Sequence, residues 1–118
     1  MHTIMAAADA VKGAIVFKKC ATCHVSEKGA PNKVGPNLWG ILGAKTASRD
    51  GFAYSAAMAG RGAEGKTWGY EDLYRYLYSP KKYVPGTKMA FAGIKDDKER
   101  ADVIAYLSKN ADTQVPLP

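Results

Sequence analysis

The stretch Cys20-Ala21-Thr22-Cys23-His24 constrains this chain more than any other. Two cysteines three apart, with a histidine directly after the second, form the pattern by which c-type haem is attached to protein. Both thiols would become thioethers to the porphyrin vinyl groups, and His24 would ligate the iron from one face. Other readings of the pair are a local disulfide, a redox dithiol or a metal site. The chain has only one further histidine, His2, at an expected loose terminus, and structural zinc wants four firm ligands. The adjacent His24 turns the balance toward haem.

A second iron ligand is offered by Met89, in the loop Pro85-Gly86-Thr87-Lys88-Met89. An isolated methionine is usually a core residue, but this one follows a Pro-Gly pair rather than lying on a helix stripe. Met58, in the alanine-rich run Ser55-Ala56-Ala57-Met58-Ala59, reads as packing, and Met1 and Met5 precede the first expected helix. A nitrogen and a sulfur donor together would saturate the iron and favour its reduced state.

The length, 118 residues, suits one domain. A covalently held porphyrin would supplement the core of so small a chain. No apolar run approaches the roughly 20 residues needed to cross a bilayer. Residues 1–8 read as the remnant of a removed leader or an artificial start, 9–109 as the domain, and 110–118, with two prolines, as a flexible tail. Seventeen Lys and Arg against eleven Asp and Glu give a net charge of +6. No nucleic-acid recognition motif accompanies that charge, so acidic faces of partner proteins are the better match.

Helices are expected in four places. Asp9 can cap the first, which carries Ala10, Gly13, Ala14 and Phe17 and ends near Lys19 or Cys20. Glu27 to Asn37 is loop, followed by a short apolar piece from Leu38 to Leu42. Ser55 caps a short helix to Ala59, and Gly60 to Gly65 reads as a surface excursion. A stronger helix runs from Tyr70 to about Ser79, stopped by Pro80, with Leu73, Tyr76 and Leu77 on one face. After a second loop to Gly93, the last helix starts near Asp96 or Asp97 and runs to about Ser108, burying Val103, Ile104 and Leu107. No strand-like alternation appears, so the fold class is all-α with long loops.

These segments together resemble the class I cytochrome c family, which includes mitochondrial cytochrome c and bacterial cytochromes c2. The matching stretches are Cys20 to His24, Lys33-Val34-Gly35-Pro36-Asn37-Leu38-Trp39-Gly40 and Gly51-Phe52-Ala53-Tyr54. The resemblance continues through Tyr76 to Ile94, with Pro85-Gly86-Thr87-Lys88-Met89 inside it, and closes on Arg100 to Leu107. It implies the cytochrome c fold, with crossed first and last helices around one covalent haem c held through Cys20 and Cys23. Its axial ligands would be His24 and Met89. Pro36 would accept a hydrogen bond from the free nitrogen of His24, fixing the ring. Tyr54 and Trp68 match positions that bind a buried haem propionate, and Tyr76 and Thr87 match positions near the Met sulfur and the other propionate. Gly13 and Phe17 would pack against Val103 and Tyr106.

Two positions depart from the family pattern. An arginine often stands near the inner propionate where this chain has Gly43-Ala44-Lys45, leaving Lys45 as the nearest charge. Met58 replaces a polar residue of the mitochondrial proteins. Lys18, Lys19, Lys33, Lys81, Lys82, Lys88 and Lys95 flank both axial loops and form a candidate docking ring. The expected function is a soluble, monomeric one-electron shuttle rather than an enzyme, docking on redox proteins such as a bc1-type complex, a terminal oxidase or a reaction centre. Its expected home is the periplasm, with the mitochondrial intermembrane space as the alternative. Rival readings are the periplasmic domain of a membrane-anchored cytochrome c, and a haem enzyme or gas sensor with an open iron site.

Overall fold

A computed structural model describes all 118 residues. Its elements are α1 (His2–Ala6), α2 (Ala10–Val16), a 3₁₀ turn (Phe17–Lys19), α3 (Ala56–Ala63), α4 (Tyr70–Tyr78), α5 (Pro80–Tyr83) and α6 (Asp97–Lys109). There is no sheet; Lys45 and Thr67 form one isolated antiparallel bridge. The all-α expectation holds. No helix is long and apolar enough to cross a membrane.

The frame is the crossing of α2 on α6. Asp9 caps α2 through its carboxylate, which accepts from the N–H groups of Val11 and Lys12 at 2.9 and 3.2 Å. Its own N–H donates to Asp102 Oδ1 at 2.8 Å, so the start of α2 is tied to the middle of α6. Asp102 is buried and is neutralised by Lys98 at 2.6 Å, which lets a carboxylate serve inside the crossing. At the contact, Gly13 lies flush on α6: a Cβ there would stand 1.9 Å from the Asp102 carbonyl oxygen. One turn on, the Phe17 ring packs on Tyr106 with centroids 5.2 Å apart. Ala14, expected on this face, is exposed, and Val16 is buried in its place.

Helix α6 begins where its acidic first turn expects. Asp96 accepts from Glu99 N–H at 2.9 Å, and Asp97 pairs with the buried Arg100 at 2.8 Å. Val103, Ile104 and Leu107 are all buried, as is the α4 face of Tyr70, Leu73, Tyr76 and Leu77. Pro80 ends α4 and starts α5 as its first residue, a position where a missing N–H costs nothing. The loop that follows is closed by Gly93, at φ +112°, where the Ile94 N–H donates to Leu77 O at 2.7 Å.

Three expectations are corrected. Gly60 to Gly65 is not a surface excursion: α3 runs through to Ala63. Gly62 faces inward, with its α-carbon so near Thr46 that a Cβ would reach the Thr46 carbonyl at 2.4 Å. The loose N-terminus is instead a short helix whose Met5 is 3% exposed and belongs to the core. The segment 110–118 has no regular structure, yet it is tied down. Asn110 accepts from Gly40 N–H at 2.7 Å, Asp112 pairs with Lys28 at 2.7 Å, and Val115 O accepts from the Tyr70 hydroxyl at 2.6 Å. The two ends meet where His2 Nδ1 lies 2.7 Å from Pro118 O.

Candidate haem site

The 3₁₀ turn delivers Cys20, and the chain keeps winding just past it. Cys23 and His24 N–H both donate to Cys20 O, at 3.0 and 2.8 Å, so the motif forms a tight coil with both thiols half-buried. The cysteines are not bonded to each other. Burial pushes the Cys20 thiol up to about 11, with Cys23 adding to the effect and Lys19 opposing it. A reactive dithiol is favoured by a depressed thiol pKa, and burial acts the other way at Cys20. No group of three or more His, Cys, Asp or Glu side chains is assembled to hold a metal ion.

His24 is held from behind. Its Nδ1 lies 2.8 Å from Pro36 O, and no protein group bonds Nε2. Burial lowers its pKa; the Pro36 bond opposes this and the Lys33 charge adds to it. The ring is therefore neutral near pH 7, with Nδ1–H donating to Pro36 and the Nε2 lone pair available. Gly35 lies against this ring so closely that a Cβ would stand 2.3 Å from Cε1. The carbonyl of Pro36 is positioned by its neighbour Asn37, a buried amide that knots the loop. Its Nδ2 donates to Glu27 O and Ala30 O at 2.8 and 3.0 Å, and its Oδ1 accepts from Trp39 N–H at 2.9 Å.

Met89 is placed by α4 and the loop after α5. Its N–H donates to Thr87 Oγ1 at 3.2 Å, and its sulfur accepts from the Tyr76 hydroxyl at 3.2 Å. Tyr76 and Thr87 are themselves 3.2 Å apart. Trp68 is buried and packs on Tyr76 with ring centroids 5.1 Å apart. Its backbone pairs with Ala44 and Gly43, through Trp68 N to Ala44 O at 2.9 Å and Gly43 N to Trp68 O at 2.7 Å. Met58 is buried in the core, in keeping with a packing role.

Tyr54 stands at the end of the loop 47–54. Its hydroxyl oxygen accepts from the Arg49 N–H at 3.0 Å, which leaves its own proton to donate. Burial raises its pKa, and the neighbouring Arg49 partly offsets that. Arg49 itself was absent from the sequence expectations. It donates from Nε to Asn37 O at 2.8 Å and from Nη2 to Trp39 O. It lies in the polar run Ala47-Ser48-Arg49-Asp50, outside every motif, and only its nearness to Tyr54 in the chain could have flagged it.

These residues fit a haem c. Two unpaired thiols precede a neutral imidazole with one free nitrogen, and a thioether is held in a later loop by Tyr76 and Thr87. Leu38, Tyr54, Met89 and Phe91 are only partly covered by the core they pack on, leaving apolar surface for a flat ligand. One cavity, of about 560 Å³, lies beside His24. It opens behind His24 between Phe17, Trp39, Tyr106 and Asn110, and neither cysteine nor Met89 or Tyr76 lines it.

The seven lysines of the expected ring are all exposed but not equivalent. Lys19 pairs with Glu99 at 2.9 Å, Lys33 donates to Ala21 O at 2.7 Å, and Lys95 donates to Tyr78 O and Ala92 O. The side chains of Lys18, Lys81, Lys82 and Lys88 make no hydrogen bond or ion pair within the chain.

Comparison with known proteins identifies the family. Residues 10–111 match the family model described as cytochrome c. A cytochrome c homolog of Bradyrhizobium diazoefficiens is 50% identical over the whole of this chain, which spans 63% of that protein's length. Cytochrome c of Chlamydomonas reinhardtii is 52% identical, with 87% of this chain aligned to 90% of that protein. Among solved structures, cytochrome cH from Methylobacterium extorquens superposes with a TM-score of 0.76 at 47% identity, covering 86% of this chain and 98% of its own. With its Cys20–His24 attachment motif for haem c, the chain belongs to the cytochrome c family.

Proposed function

We propose that the protein is a one-electron carrier whose haem c, linked at Cys20 and Cys23, takes His24 Nε2 and Met89 Sδ as axial ligands. One observation carries this reading: each donor residue is held in place by hydrogen bonds from the chain around it. Pro36 O holds His24 Nδ1, which leaves Nε2 free, and the Tyr76–Thr87 pair holds the Met89 segment. Bound haem c supplies an iron that passes between ferric and ferrous forms without making or breaking a substrate bond.

The chain's own part is to keep the site closed. Fixed ligands change little between redox states, and Trp68 and Tyr76, buried and packed together beside the Met89 sulfur, keep water from it. The lysines whose side chains are unpaired within the protein offer charge to the acidic faces of redox partners such as a bc1-type complex, a terminal oxidase or a reaction centre. Opposite charge speeds encounter more than it tightens the complex. Nothing in this reading needs a second copy, so the carrier acts as a monomer. Its place is the periplasm, with the intermembrane space as the alternative.

The test is spectroscopic. The ferric protein should show the weak long-wavelength band of a methionine–iron bond, and the ferrous form should not take up carbon monoxide. Met89→Ala should abolish the band and open the iron to carbon monoxide. Ready carbon monoxide binding by the unaltered protein would instead assign an open-site haem enzyme or sensor.

A further inference from the structure

Arg49 is the one half-buried cation of the loop 47–54, and no carboxylate of the protein lies within ion-pair distance of it. The ion pairs of the molecule join Lys19 to Glu99, Lys28 to Asp112, Arg75 to Glu71, Lys98 to Asp102 and Arg100 to Asp97. Arg49 is held by two backbone carbonyls, Asn37 O and Trp39 O, which fix the fork in place but do not cancel its charge. Taking a guanidinium partly out of water costs free energy unless an anion compensates it. A position so fixed and so uncompensated awaits an anion.

The anion is supplied by the group the chain is built to hold, because haem c carries two carboxylates. Resting on the haem reading above, we propose that Arg49 is the counter-charge to one haem propionate, acting together with the Tyr54 hydroxyl. Tyr54 accepts from the Arg49 N–H and so keeps its proton for a further acceptor, which places a neutral donor and a cation on the same short loop. The position at which relatives carry an arginine is Ala44 here. Lys45, the charge expected from sequence to replace it, has its backbone in the bridge to Thr67, an exposed side chain, and no hydrogen bond to the loop 47–54. The guanidinium also offers planar, paired donors that match a carboxylate better than an ammonium. The same side chain braces Asn37, whose neighbour Pro36 holds His24, so it connects the propionate side of the site to the histidine side.

The test reads the midpoint potential of the intact holoprotein against pH. With Arg49 in place, the carboxylate stays ionised, and the potential is flat through the neutral range. In Arg49→Gln, the carboxylate titrates in that range, and the potential falls as pH rises because the new negative charge stabilises the ferric form. Arg49→Lys keeps the charge and returns the flat profile. A flat profile in Arg49→Gln, or equal slopes in Arg49→Gln and Arg49→Lys, overturns the assignment. So does a slope that appears in Lys45→Gln and not in Arg49→Gln. The methionine–iron band recorded on each sample separates this outcome from failure of the haem reading itself, since only the latter removes the band from the unaltered protein.

Discussion

The Tyr76 hydroxyl lies 3.2 Å from Met89 Sδ and equally far from Thr87 Oγ1, so one phenol joins the sulfur to the turn that carries it. The donor order follows from the partners. Tyr76 donates to the sulfur, Thr87 donates to Tyr76, and Thr87 Oγ1 accepts from Met89 N–H. A hydrogen bond draws electron density from the sulfur and makes it a poorer donor to ferric iron. Tyr76→Phe should therefore lower the midpoint potential. A bond of this kind contributes about 0.5–1 kcal/mol, which for one electron is on the order of tens of millivolts. Cyclic voltammetry checks this, and an unchanged or raised potential would refute the assigned role.

Gly13 and Gly60 offer opposite outcomes from the same substitution. Gly13→Ala would put a methyl 1.9 Å from a carbonyl oxygen of α6, and backbone cannot step aside. The gain in helix propensity is outweighed, and overpacking should cost about 1–3 kcal/mol. Gly60 lies within α3 with nothing near its missing Cβ. Gly60→Ala should stabilise by about 0.5–1 kcal/mol. Denaturant unfolding of the two variants decides both; a neutral or stabilising Gly13→Ala would mean that the α2–α6 crossing is looser than described, and a destabilising Gly60→Ala would mean that α3 is not open there.

The docking prediction separates the lysines by their bonds. Lys81, Lys82 and Lys88 stand free beside the Met89 loop, whereas Lys19 already faces Glu99. Charge reversal at Lys82 should slow electron transfer to an acidic redox protein several-fold at low salt, and the difference should shrink as ionic strength rises. Reversal at Lys19 should do less, since Glu99 already offsets its charge. Stopped-flow rates over a salt series measure this; rates indifferent to salt would remove electrostatic docking.

Local rules made the helix starts legible. Asp9 and Ser55 are caps that the sequence announces, and each accepts the expected N–H bond; the last helix starts at the acidic pair that announces it, with Asp96 accepting from Glu99. The Cys20–His24 spacing and the Pro85–Met89 turn are equally local. What stayed hidden depends on distant partners. The glycines after Ala59 look like loop, but Gly62 is needed where α3 touches Thr46, and tertiary contact overrides helix propensity. Segment 110–118 looks free, yet its carbonyls and Asp112 find Tyr70, Gly40 and Lys28. Arg49 belongs to the same class: its role rests on carbonyls at 37 and 39 and on Tyr54, which no run of residues around it reveals.

Alkaline pH gives a further prediction, from three of the seven tyrosines. Burial is the main cause that raises Tyr54, Tyr76 and Tyr83 above the ordinary value of 10.0. For Tyr83 the bond to Asp72 Oδ1 at 2.7 Å adds to it, because a carboxylate opposes a phenolate beside it. The unfolded chain ionises these phenols first and so binds fewer protons than the folded one. Stability is then fully present below the ordinary value and falls as pH rises through it. An ultraviolet titration should show a late group of tyrosines whose ionisation coincides with unfolding. Asp72→Asn should move Tyr83 to lower pH while leaving Tyr54 and Tyr76 in place. If all seven phenols titrate together near the ordinary value in the folded protein, the wall that Tyr76 forms beside Met89 is open to water, and the closed site fails with it.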